Sequence, residues 1–223
     1  MSREHESERA DKVRLAPDSF SDIIFGLALS IGSLILIQNQ VTIWQNFVWN
    51  IVLFGLSFAI IGMTWLSFST TIRYLSTEDP TVVFLNLALF FCVVLEPYLF
   101  YMLMNAGGLL LDVVSDAFAL NIGFMFFVLG ALASIAVKNA GVSTFGNSSY
   151  RSEEEVYALK QMIFPRYVLS ALCLFSMAPF FWILTPLGHL RFLSWTSAFA
   201  VFLVYHITLV HSHKQKSGGR EKQ

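Results

Sequence analysis

The chain has 223 residues, 56% of them hydrophobic and 13% charged, with a formal net charge of −1. A soluble domain carries about 25% charged residues, and the mean hydropathy of +0.63 departs in the same direction. Composition therefore excludes an ordinary water-soluble globule. The lipid bilayer is the expected partner, and no nucleic-acid partner is expected.

Residues 1–18 are polar, with Arg3, Arg9, Lys12 and Arg14 set among Glu4, Glu6, Glu8 and Asp11. They read as a cytoplasmic tail, and they lack the apolar stretch of a secretory signal peptide. Pro17 suits a helix start, with Asp18 or Ser19 available to cap it. Residues 19–210 read as one membrane domain, because six apolar stretches are each long enough to cross a bilayer as a helix.

The first span is expected at about 20–38. At 100° per residue, Phe20, Leu27, Ile31 and Leu34 fall on one stripe, with Ser30 at its edge. Asp22, Gly26 and Ser33 fall roughly opposite, and this second face is expected to pack closely against the rest of the chain. The second span, about 45–68, has Trp44, Trp49 and Trp65 near its ends, as in an aromatic belt. A polar link over 69–79 leads to Asp79-Pro80, a cap followed by a proline whose missing N–H costs nothing there.

The third span, about 81–104, is interrupted by Glu96-Pro97, and 105–108 reads as a turn. A fourth span is expected at about 113–137. The loop 138–152 ends in a capping box, Ser152-Glu153-Glu154-Glu155, which opens a short amphipathic helix. The fifth and sixth spans, about 162–184 and 190–210, precede a basic tail at 211–223.

With the N-terminus inside, thirteen lysines and arginines fall on inner segments and only Arg191 on an outer turn. The positive-inside rule then places both termini in the cytoplasm. The expected fold class is an all-α membrane protein with six transmembrane helices. Cys92 and Cys173 lie inside apolar runs and read as small core residues. His206, His211 and His213 form no metal-ligand pattern, so no metal is assigned to them.

Ser19-Phe20-Ser21-Asp22 ahead of an apolar helix resembles the FSD signature that opens the first helix of the transmembrane protein 175 family, the endosomal and lysosomal potassium channels and their prokaryotic relatives. The segments FAIIGMTWLSFSTTIRYL (58–75) and FLNLALFF (84–91) are similar in spacing to that family's second and third helices. The resemblance covers roughly residues 14–104, and the six-span count fits the prokaryotic type. It implies a homotetrameric, potassium-selective leak channel of the cell membrane, with K+ as the permeating ion and no cofactor.

By position, the resemblance places an aliphatic constriction at Leu27, a hydroxyl layer at Ser30 and a further aliphatic ring at Leu34, with Ile31 on the same stripe. The motif residues Phe20, Ser21 and Asp22 would anchor a polar network between helices, with Arg14 or Asn86 as partners of Asp22. Two positions depart from the family pattern. Ala16 stands where the family has an arginine, and Phe68-Ser69 where it has a histidine pair.

A ring of leucines is a dry collar too narrow for a hydrated ion, and it can gate by dewetting. Potassium sheds its water more readily than sodium, and Ser30 hydroxyls would replace part of the lost shell. Ordinary helix packing also uses such a stripe, and a simple N-cap also accounts for Asp22. Glu96, with Asp112 and Asp116, fits an outer vestibule that concentrates cations, or an interface carboxylate beside a proline kink. The competing class is a secondary transporter or proton-coupled carrier using Asp22 and Glu96, against which stands the lack of an internal repeat. An enzyme is not expected, because no nucleophile or acid–base cluster recurs within the spans.

Overall fold

A computed structural model describes residues 20–37, 44–75, 79–142 and 153–178, together with the single residues Trp195 and Ala200. The described residues are helical and contain no strand. Five helices follow in chain order: α1, Phe20–Ile37; α2, Trp44–Ile72; α3, Pro80–Asn105; α4, Leu109–Val142; and α5, Glu153–Phe175. The first four are long and apolar enough to cross a membrane. The tails, most of the expected sixth span and the far end of the fifth lie outside the described residues.

The start of α3 follows the expected cap. Asp79 has extended backbone and accepts a hydrogen bond from the Thr81 amide at 2.8 Å, with Pro80 in the first turn. The turn between α3 and α4 needs Gly108, whose φ of +60° favours a residue without Cβ.

Three helix limits differ from expectation, each for a local reason. The helix α2 continues past Phe68 to Ile72, although 69–71 read as polar link. The hydroxyls there donate back to their own helix: Ser69 Oγ to Leu66 O at 3.1 Å, Thr70 Oγ1 to Ser67 O at 3.0 Å, and Thr71 Oγ1 to Ser67 O at 2.7 Å. Hydroxyls satisfied in this way can stay in a helix.

The helix α4 runs for 34 residues, beyond the expected 113–137 at both ends. Asp112 in its first turn complements the positive end of the helix dipole. The expected amphipathic helix and fifth span are one helix, α5, with Pro165 inside it. It ends at Phe175 in a tightened turn, where Ser176 Oγ donates to the Cys173 carbonyl. Trp195 is buried there, its indole N–H donating to Ser176 Oγ at 2.8 Å and its ring lying 5.5 Å from Phe118 of α4.

The helix α4 forms the centre of the bundle and contributes Phe118, Ile122, Met125, Phe126, Leu129 and Leu132 to the core. It meets α5 through two glycines one heptad apart. A Cβ on Gly123 would stand 3.1 Å from the Leu174 side chain and 3.3 Å from the Ser170 carbonyl oxygen. One on Gly130 would meet the Tyr167 ring at 3.0 Å. Small residues let membrane helices approach closely, where dispersion between well-fitted surfaces holds them together. Because the Ser170 carbonyl is backbone and cannot rotate aside, Gly123→Val forces α4 and α5 apart. The expected cost is about 1–3 kcal/mol, read as a lower unfolding temperature of the detergent-solubilised protein.

Candidate functional site

The first helix has two faces, and the structure places them. Ser21, Phe25, Ala28, Gly32 and Ile35 are buried against the bundle. On the other side, Phe20, Ile23, Leu27, Ser30, Leu34 and Ile37 are exposed, at alternating spacings of three and four residues. That alternation keeps these residues on one face of the helix. Leu27 is 56% exposed, Ile31 38% and Leu34 55%.

The face expected to pack was Asp22, Gly26 and Ser33, and this is corrected. Asp22 and Gly26 are exposed, Ser33 is half-buried, and a Cβ on Gly26 would meet nothing within 4 Å. The reason is aromatic. Phe25 projects between Phe68 of α2 and Phe90 of α3, with centroid distances of 6.1 and 6.4 Å, and Phe68 and Phe90 meet at 5.5 Å. Phe20 adds an edge contact to Phe90 at 5.9 Å. The large apolar rings set the rotation of α1, and the small residues flank it.

Asp22 does have an interhelical partner, though neither of those expected. Trp65 Nε1 of α2 donates to Asp22 Oδ1 at 2.8 Å. Arg14 lies outside the described residues, and Asn86 Oδ1 has no hydrogen-bond partner among them. Trp65 had read as a belt residue. In the sequence nothing but the motif-like spacing of the second helix set it apart, and 43 residues separate it from Asp22.

The two serines of α1 donate to their own backbone, Ser30 Oγ to Gly26 O at 2.8 Å and Ser33 Oγ to Ser30 O at 2.7 Å. With its hydrogen committed, a serine oxygen still accepts. Such an oxygen suits a cation, not an anion.

Glu96, expected to be protonated, paired or facing water, whether in an outer vestibule or at the interface beside the proline, is enclosed at 0% exposure and paired. Ser57 Oγ of α2 lies 2.7 and 2.8 Å from its two carboxylate oxygens. One turn earlier on α3, the Cys92 carbonyl accepts from Asn121 Nδ2 of α4 at 3.1 Å. Pro97 cannot donate to the helix, yet α3 runs unbroken through it from Pro80 to Asn105, where the third span had been expected to break at Glu96-Pro97. Asp112 and Asp116 are half-buried in the first turns of α4. Cys92 and Cys173 are buried and free, as their surroundings implied.

Helices long enough to span, an outward apolar seam with a carboxylate on its flank, and buried polar links between spans define a multi-pass membrane protein. Residues 17–97, which take in α1, α2 and most of α3, match the family model described as endosomal/lysosomal potassium channel TMEM175. Over that stretch the chain is similar to a family of potassium channels. No curated protein and no solved structure matches the chain.

Proposed function

We propose that the chain is a potassium-selective leak channel of the cell membrane, a homotetramer in which α1 lines the pore and Leu27 forms its narrow collar. The observation that carries this is the exposed face of α1. That face carries the hydroxyl of Ser30 and is flanked by the carboxylate of Asp22. A carboxylate turned to lipid is costly, whereas one turned to water or to a protein partner is not. The helix α3 offers the contrast. Its exposed stripe is Phe84, Leu87, Phe91, Val94, Tyr98 and Tyr101, wholly apolar or aromatic, as a lipid-facing surface is.

In this reading both termini are cytoplasmic and six spans complete each copy. Asp22 with Trp65 fixes α1 at the cytoplasmic mouth, and Leu34 and Ile31 continue the dry wall. Ser30 oxygens replace part of the ion's hydration shell, and Asp112 and Asp116 raise the cation concentration outside. The purified protein, reconstituted in liposomes under a potassium gradient, carries K+ without an ionophore and carries Na+ more slowly. Leu27→Cys forms disulfides between copies under mild oxidation. A carrier would saturate and respond to Glu96→Gln, and that outcome, or monomeric Leu27→Cys, rejects the channel.

A further inference from the structure

Arg166 follows Pro165 in α5 and is fully buried. Its guanidinium reaches α2 and α4 at once. Nη1 donates to Thr71 Oγ1 at 3.2 Å and to the Leu129 carbonyl at 3.1 Å, and Nη2 donates to the Ser67 carbonyl at 3.3 Å. Thr71 Oγ1 in turn donates to Ser67 O at 2.7 Å, so the three residues close a ring. No carboxylate stands within ion-pair reach of Arg166 among the described residues.

Among the described residues the guanidinium is held by neutral acceptors on two helices, which offset the cost of burying its charge. Ser67 and Thr71 belong to the last two turns of α2, where the negative end of the helix dipole collects. A planar fork of donors serves acceptors on two helices together, which a lysine ammonium on a flexible stem does not.

Two residues before Ser67, Trp65 holds Asp22 of α1. The end of α2 thus carries α5 on its buried side and α1 on its exposed side. The geometry points to Arg166 as a positioning residue for conduction: it fixes the end of α2 that bears Trp65, and through Trp65 and Asp22 it sets where α1 stands. This rests on the reading of α1 as the pore helix.

The test uses the full chain in liposomes as wild type, R166K, R166M, W65F and the double variant R166M/W65F. K+ flux per folded protein, the ratio of K+ to Na+ flux, and the unfolding temperature are measured for each. Loss of folded protein alone cannot move the flux ratio. R166M changes K+ flux by about tenfold and shifts the ratio, and the double variant behaves like the single ones, as residues acting in one chain of contacts do. R166K recovers only part of the wild-type behaviour.

A folded R166M that conducts within about twofold of wild type, or R166M and W65F effects that simply multiply, overturns the proposal. If R166M does not fold, T71V takes its place in the same cycle and removes one acceptor at constant shape. If the wild type carries no flux, the channel reading fails separately, and the cycle is read in unfolding temperature. Coupling between positions 166 and 65 then retains the link from α5 to α1, and additivity removes it.

Discussion

In the proposed pore, Leu27→Asp raises cation flux through the reconstituted protein and brings its K+ and Na+ fluxes together. A collar of leucines resists ions by excluding water, so a ring of carboxylates wets the constriction and removes the need to dehydrate. Lowering the barrier by about 1.4 kcal/mol is enough for a tenfold rise. Leu27→Ala widens the collar without charging it and gives a smaller rise in the same direction. The control is Leu87→Ala on α3. Leu87 is as exposed as Leu27, at 59% against 56%, but it belongs to the wholly apolar stripe. Flux unchanged at Leu87 and strongly changed at Leu27 separates a pore face from a lipid face. Equal, small effects at both positions contradict the pore assignment.

Ser57→Ala destabilises the protein more than the pair Ser57→Ala with Glu96→Leu. In the single variant the Glu96 carboxyl remains enclosed and loses the hydroxyl that meets both its oxygens. Leaving such a group unsatisfied costs about 1–3 kcal/mol. Replacing both partners by apolar groups of similar volume removes the unpaired group and is often neutral or stabilising. Thermal unfolding of the four corners of this cycle in detergent reads the ordering directly. A double variant less stable than Ser57→Ala alone shows that Glu96 has a supporting role outside this pair.

The helices were legible because membrane spans advertise themselves by length and apolarity, and Asp79-Pro80 marked the start of α3. The ends were harder to read. Ser69, Thr70 and Thr71 look like a link in the sequence, and only their donation to carbonyls of the same helix keeps them in α2. On α1 the aliphatic stripe was readable from its period, but the rotation of the packed face was not, because it depends on how Phe25 seats between Phe68 and Phe90. Phe68, one of the two positions that depart from the resembled pattern, makes aromatic contacts to Phe25 and Phe90. The interhelical partners of Asp22, Glu96 and Arg166 lie between 37 and 99 residues away in the chain. Periodicity has no access to contacts of that range.

The bond between Ser57 and Glu96 also bears on how the chain enters the bilayer during synthesis. Ser57 leaves the ribosome ahead of Glu96, at a time when α4 does not yet exist. A lone acidic group at mid-membrane opposes insertion by about 2.5–3.5 kcal/mol on translocon scales. A hydroxyl on the preceding span lowers that opposition if the two helices move laterally into lipid as one hairpin. The pairing within that hairpin needs no helix beyond α3.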